Sequence, residues 1–352
     1  MTKSVAEPRP QLEADPSPAD ILQIGMGFWA SKTLLSAVEL GLFTELAAGP
    51  KTGAELERAL RLHPRATYDF LDALVALGLL ARRGDGAEGR YMNTPATALY
   101  LDRNGPRYVG GILEMANSRL YPFWADLTPA LRTGQPQNEV KHSGRPMFDE
   151  LYADPARLEQ FMDAMSGVSR GNFEAFADRF DFAPYRSHAD IGGATGQLAT
   201  IVAARHPHLA SASYDLPVVK PIAERRIAEA GLAGRVGAEE IDFLRDEFPT
   251  ADLITMGMIL HDWNLEHKKM LIAKAYRALP KGGALVAIEN IIDDSRRENA
   301  FGLMMSLNML IEFGDAFDFT GADFTAWCLE AGFERCEILP LGGPASAAIA
   351  YK

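Results

Sequence analysis

His188-Ala189-Asp190-Ile191-Gly192-Gly193-Ala194-Thr195-Gly196 is the stretch from which the fold is read. Its first half is short and apolar enough for a buried strand, and its second half is a glycine-rich turn. The following residues, Gln197-Leu198-Ala199-Thr200-Ile201-Val202-Ala203-Ala204-Arg205, have helical composition. Strand, turn and helix make the first unit of a nucleotide-binding α/β domain. Glycines let the backbone approach a ligand, and free amides at a helix start favour an anionic group. The dinucleotide pattern Gly-x-Gly-x-x-Gly is absent, because Ala194 stands where its second glycine belongs. An acid, Asp215, closes the next strand-like run at 210–214, where a carboxylate holds the hydroxyls of a ribose.

Further strand-like runs follow at 235–241, 251–259, 284–290, 333–339 and 345–351, with helical stretches between most of them. The alternation predicts a largely parallel sheet covered by helices on both faces. The last two runs are too close for an intervening helix, so they are expected as an antiparallel hairpin at one edge. Residues 186–352 are read as this domain, and 105–185 as a helical linker rich in Met115, Tyr121, Phe123, Trp124, Phe148, Phe161, Met162, Met165 and Phe173. Most of these read as core and some as the wall of an aromatic ligand site.

Residues 20–104 read as a separate unit. Ser17-Pro18-Ala19-Asp20 resembles a capping box with Pro at the first helical position, and Ile21, Ile24, Phe28, Leu35 and Val38 recur at helical spacing up to a stop at Gly41. Helices at 52–60 and 64–77 and a hairpin at 79–92 complete a winged-helix pattern. Such units often bind DNA. Here the helix that would enter a groove carries Asp69 and Asp72 beside Arg65, and phosphate contact needs a basic stripe. A dimerisation unit is the expected reading.

The chain has 352 residues, 47% hydrophobic and 23% charged, which suits a globular protein with a sizeable core. Its net charge of −12 argues against nucleic acid or an anionic membrane as the main partner. No apolar run approaches the roughly 18–20 residues of a membrane span. Residues 1–19 are expected to be a mobile tail without the apolar centre of a signal peptide, so the expected location is cytoplasmic. Cys328 and Cys336 have no partners at zinc spacing, and neither a metal site nor a disulfide framework is indicated. There is no internal repeat.

The fourth strand-like run ends at His261-Asp262-Trp263. Ligands of open α/β sheets bind beyond the carboxyl ends of strands at the switch point, which places His261 beside the glycine turn. A histidine there titrates near neutrality and can act as a general base; the alternative is a surface histidine after a strand. Asp262 reads as a helix cap, and Trp263 as a platform for an adenine or as core. Glu289, at the end of the fifth strand, points at the same crevice, either to orient an imidazole or as a cap or rim residue.

In this order, Asp190-Ile191-Gly192-Gly193-Ala194-Thr195-Gly196, Asp215-Leu216-Pro217, Asp242-Phe243, Leu260-His261-Asp262-Trp263 and Glu289 resemble the S-adenosylmethionine-dependent small-molecule O-methyltransferases. The similarity is to the plant caffeate, bacterial polyketide and acetylserotonin branch and covers nearly the whole chain. The resemblance implies a Rossmann-like class I methyltransferase domain with a mostly parallel seven-stranded sheet, and an N-terminal winged-helix domain that makes an intertwined homodimer. It implies S-adenosyl-L-methionine as cofactor, S-adenosyl-L-homocysteine as product, and a small aromatic acceptor of secondary metabolism.

By the same resemblance, Gly192 lines the methionine end of the cofactor, with Asp190, Gly193, Gly196, Leu216 and Ser169 around it. Asp215 holds the ribose; Asp242 and Phe243 frame the adenine with Trp263 nearby. His261 is the base, flanked by Glu289 and by an acid before Thr320. The family usually has Glu there in a Gly-Gly-Lys-Glu-Arg-Thr-like run. This chain reads Gly314-Asp315-Ala316-Phe317-Asp318-Phe319-Thr320, so the shorter Asp318 takes the place and the neighbouring basic residues are gone. Ala194 replaces the usual third glycine, a change expected to be tolerated. The acceptor wall is expected from Met115, Asn117, Phe161, Met165, Met304, Asn308, Met309 and Phe313. No metal is expected.

Within the fold, methylation of carbon or nitrogen and a non-methylating reaction are the alternatives. A ligand-sensing winged-helix regulator is disfavoured by the acidic helix, and a nicotinamide oxidoreductase by the missing glycine pattern.

Overall fold

The computed structural model describes residues 17–144 and 151–352. Phe148 and most of the expected tail lie outside the described residues. The chain divides into two compact units, Met1–Asp102 and Arg103–Lys352.

In the first unit, helices Ala19–Gly25, Gly27–Glu39, Gly53–Leu60 and Pro64–Ala76 accompany a small antiparallel sheet. Its strands are β1 (Lys51–Thr52), β2 (Leu80–Arg83) and β3 (Arg90–Asn93), in the order β1-β3-β2. The start of the chain differs from expectation. Pro18 is the cap of the first helix and not its first residue, and the helix breaks at Met26 between Gly25 and Gly27. Two glycines that close together weaken a helix enough to split it. Reciprocal capping boxes of this unit are instead at Thr52 and Glu55, which open Gly53–Leu60, and at Thr94 and Thr97. On Pro64–Ala76, Arg65 pairs with Asp69, and Asp72 accepts hydrogen bonds from Tyr91 (2.7 Å) and Arg82 (2.6 Å). The arginines are spent on carboxylates, so that face offers no basic stripe. Ile21, Ile24, Phe28 and Trp29 are 74%, 83%, 50% and 63% exposed in the single chain, and burial begins only near Leu35.

The second unit is built on a seven-stranded sheet of order β6-β5-β4-β7-β8-β10-β9. Its strands are β4 (Ser187–Ile191), β5 (Ala210–Asp215), β6 (Val236–Glu240), β7 (Leu253–Gly257), β8 (Ala284–Glu289), β9 (Arg335–Gly342) and β10 (Ala345–Tyr351). Pairings among β4 to β8 are parallel, and β10 runs antiparallel to both β8 and β9. Every residue of β8 is buried, as a strand covered on both faces requires. One face is closed by Leu271, Ile272, Phe324 and Cys328 against Ile254, Met256 and Leu285. On the other, Phe173, Phe176, Phe180 and Phe182 join Leu198 and Val202 against Leu253, Val286 and Ile349. The aromatic end of the long helix Pro155–Arg179 is therefore part of the sheet's own cover, and the helical segment from residue 105 belongs to the same unit as the sheet. The strand order reverses between β4 and β7, and the crevice at their carboxyl ends is where the site lies. Among the described residues, no helix is long and apolar enough to cross a membrane.

Candidate active site

The glycine turn after β4 is shaped by close approach. Gly192 has φ +70°, and a Cβ there would meet Ile259 Cδ1 at 2.4 Å. A Cβ on Gly193 would meet Ser213 Oγ at 2.2 Å and Asp190 Oδ2 at 2.7 Å. Ala194 is also left-handed, with φ +48°, so the alanine in place of glycine is accommodated in a conformation that disfavours a Cβ. Its amide donates to Asp215 Oδ2 (2.9 Å), and Leu216 N donates to Asp215 Oδ1 (2.7 Å). Burial pushes the Asp215 carboxyl up to about 6 against these amides, which favour its charge. Asp190 accepts from Thr255 Oγ1 (2.7 Å) and is pushed up to about 7, burial again being the main cause. Ser166, one turn before Ser169 on the long helix, shares a hydrogen bond with Thr195 of the turn (2.8 Å); Ser169 itself is buried.

The loop after β6 completes this half of the crevice. Phe243 packs edge-on to Trp263, with ring centroids 5.9 Å apart, and its Cε1 lies 3.5 Å from where a Gly192 Cβ would stand. Asp242 caps the loop through Leu244 N (3.1 Å). Lys274, buried, donates to the carbonyls of Phe243 (2.9 Å) and Asp246 (2.7 Å) and so holds the loop in place.

β7 stops at Gly257. Met258 has φ +58°, a left-handed residue that turns the chain into the 3-10 turn Leu260–Asp262. This turn buries His261, which is 5% exposed. Its Nδ1 lies 3.3 Å from Glu289 Oε2 and 3.5 Å from Asp318 Oδ1, and its Nε2 lies 3.1 Å from Asp262 Oδ1. Glu289 is the last residue of β8, and its Oε1 accepts from Ile259 N (3.1 Å) and Leu260 N (2.9 Å). Glu289 thereby fixes the very turn that carries the histidine. His261 Nδ1, Glu289 Oε2 and both Asp318 oxygens make no standard hydrogen bond among the described residues. Burial alone would push the imidazole down. The charge of Glu289, and then that of Asp262 with its contact to Nε2 and the nearby Asp318 carboxylate, outweigh it and hold His261 well above its usual 6.5. Burial likewise raises Glu289 to about 7, against the pull of the imidazole. The structure thus brings Asp318 to the histidine despite its shorter side chain.

His188, the other fully enclosed histidine, bridges Ser211 Oγ (2.7 Å) and Thr255 Oγ1 (2.8 Å) inside the sheet. Burial pulls it down to about 3, so it is a neutral structural residue.

The residues expected to wall the acceptor fall on three helical pieces. Met115 ends the helix Gly110–Met115, and Asn117 lies in the π-helical turn Ala116–Leu120 that follows. Phe161 and Met165 lie on Pro155–Arg179; Met304, Asn308, Met309 and Phe313 lie on Ala300–Phe313. Met309 is buried, whereas Met304 is half exposed in the single chain, and Phe161 packs partly on the cluster of Met162, Val219 and Ile222. Two side chains, Trp124 and Arg119, tie the 110–124 segment to Ala300–Phe313. Trp124 Nε1 donates to Asn308 Oδ1 (2.9 Å), and Arg119 forks onto Glu139 (2.6 and 2.7 Å) and Glu312 (2.9 and 2.7 Å). Sequence reasoning missed Arg119, Lys268 and Lys274, and named Trp124 without its partner Asn308. Arg119 lies 193 positions from Glu312, and no local pattern announces such a pair.

A family model described as an O-methyltransferase domain matches residues 124–334, and one described as an O-methyltransferase dimerisation domain matches residues 22–103. The tetracenomycin polyketide synthesis 8-O-methyl transferase of Streptomyces glaucescens is 42% identical over 95% of this chain and 97% of its own length. An N,N-dimethyltransferase of Streptomyces rimosus is 40% identical over 89% of this chain and 90% of its own. Human N-acetylserotonin methyltransferase, solved in complex with SAM, aligns with a TM-score of 0.88 at 28% identity, covering 97% of this chain and 99% of that one. The chain therefore belongs to the S-adenosylmethionine-dependent O-methyltransferase family and is an enzyme of that family.

Proposed function

We propose that the protein methylates a hydroxyl of a flat, phenolic, polyketide-like acceptor, with His261 as general base. The observation that carries this reading is the buried imidazole, set between Glu289, Asp318 and Asp262 immediately beyond β7 and next to the glycine turn. The residues present fit S-adenosylmethionine. Asp215 is a half-buried carboxylate at the end of β5, poised for ribose hydroxyls, and the turn is closed to any side chain at Gly192 or Gly193. Asp242, Phe243 and Trp263 would hold the adenine, and Gly192 with Asp190 the amino-acid end. When bound, this group supplies a methyl already activated on a sulfonium.

The work left to the protein is the acceptor's proton and its alignment. A phenol of pKa near 10 is about one part in a thousand ionised at pH 7, roughly 4 kcal/mol short of a full phenolate. The imidazole of His261 takes that proton as the oxygen becomes the nucleophile. Nδ1 faces Glu289 and Asp318, whose charges stabilise the imidazolium so formed and fix the ring. The methionine and phenylalanine wall grips a flat ring without demanding one shape. Supporting the acceptor class is the 42% identity to an enzyme of tetracenomycin synthesis. A second reading, methylation of an amine, is favoured by the 40% identity to an N,N-dimethyltransferase.

The test is incubation with methyl-13C S-adenosylmethionine and a panel of polycyclic phenols and their amino counterparts, with products read by carbon NMR. The expected product carries the label at an O-methyl shift. Label only at N-methyl shifts would overturn the hydroxyl reading in favour of the second.

A further inference from the structure

Beside the catalytic histidine lies a buried cation with no part in the mechanism above. Lys268 is completely enclosed, in the first turns of the helix Leu265–Ala278, with its amide bonded to Asn264 O at 3.0 Å. That end of a helix is the positive pole of its peptide dipoles, so a buried ammonium there needs negative charge close by. Its Nζ donates to the Trp263 carbonyl and lies 3.7 Å from the centroid of Phe317 and 6.0 Å from that of Phe319. Trp263 follows His261-Asp262 directly, and the two phenylalanines flank Asp318. One ammonium thus clips the turn that bears His261 to the segment that bears Asp318. The charged groups facing it are Glu289, Asp318, Asp262 and Asp315. No basic residue stands between positions 315 and 319 to do the same work. Burial pulls Lys268 down to about 8, and these carboxylates resist that pull.

We propose that Lys268 is a positioning residue for methyl transfer: its enclosed ammonium, held between the Trp263 carbonyl and the Phe317 ring, balances the carboxylates around His261 and sets the pH at which that cluster releases its proton. The proposal rests on the reading of His261 as the base. Three carboxylates against one imidazolium leave excess negative charge in a buried site, and such a site binds protons tightly. A neighbouring cation disfavours every protonation in the cluster, whichever atom carries the proton. Lys268 therefore keeps the proton-accepting form of His261 within reach at physiological pH. The ligand atoms of His261, Glu289 and Asp318 lie within 4.8 Å of one another and could also converge on a divalent ion, but the ammonium already supplies positive charge there.

The experiment uses the full chain labelled with 13C at the histidine ring, the His261 signal being assigned by its loss in His261→Ala. Its titration midpoint is compared in wild type, Lys268→Met and Lys268→Arg, alongside the acid limb of kcat/KM. In Lys268→Met the midpoint is expected to rise by about one pH unit, the size of one charge at several ångströms in a partly screened interior, and the acid limb to rise with it. Lys268→Arg, which keeps the charge, returns both towards wild type. A lysine that serves only the fold would lower the melting temperature and leave both midpoints in place, which would overturn the proposal. If Lys268→Met does not fold, the wild type carries the test: with 13C also at the lysine ε-carbon, the His261 signal is expected to show a second inflection at the pH where Lys268 itself loses its proton. A single inflection overturns the coupling. The NMR midpoint needs no turnover, so its outcome is separate from whether His261 proves to be the base.

Discussion

Gly192 shows how little freedom the site leaves a single residue. Its φ of +70° costs a side chain about 1–2 kcal/mol, and the added carbon would drive into Ile259, two residues before His261. Crowding of that kind costs about 1–3 kcal/mol more. Gly192→Ala is therefore expected to weaken S-adenosylmethionine binding at least tenfold by calorimetry while the protein stays folded; an unchanged affinity would show that the turn does not line the cofactor. At this scale the sequence was informative wherever a residue stands in a local pattern. His261, Glu289 and Asp215 each follow a strand end, and topology placed them in one crevice. Lys268 and Arg119 were silent, because what matters about them is a partner remote in the chain. Lys268 reads as an ordinary helix lysine until Phe317 and the carboxylates are folded against it.

Among the elements, the strands were legible and the interruptions were not. β8 is apolar throughout because both of its faces are covered, and the run Ala284-Leu285-Val286-Ala287-Ile288 declares that without structure. The two-residue β1 has too little sequence to signal anything. The π-helical turn at Ala116–Leu120 adds a residue to one turn, a change that apolar periodicity does not reveal. The broken helix at the start of the chain is the element with the plainest consequence. Ile21, Ile24 and Phe28 recur at helical spacing, and they and Trp29 stand exposed in the single chain, within a segment matched by a dimerisation-domain family. A second copy of the chain is the expected cover. Removing residues 1–40 should then give monomers or aggregates with little activity, as seen by light scattering and a methyl-transfer assay. A fully active monomer would contradict this.

Taken whole, the second unit joins the sheet edge that carries His261 to the helical pieces on which the acceptor wall is expected. The two are separately legible. The sheet is written in periodic patterns, whereas the expected acceptor wall depends on how the 110–124 segment meets Ala300–Phe313 through Arg119 and Trp124. Methionines and phenylalanines on those pieces define a class of ligand and not a single one. On the proposed reading, one proton passes from the acceptor to His261. The direct measurement is the rate of His261→Ala against wild type over a series of phenols of graded acidity, with cofactor affinity followed in parallel. Turnover is expected to fall by about 10²- to 10⁴-fold on weakly acidic phenols with cofactor binding nearly intact, and the gap to close as the acceptor becomes acidic enough to ionise unaided. In wild type the rate is expected to rise with pH through a midpoint above the ordinary histidine value of 6.5, because the surrounding carboxylates hold the imidazole protonated below it. Parallel lines for the two proteins across the series would mean that His261 takes no proton from the acceptor.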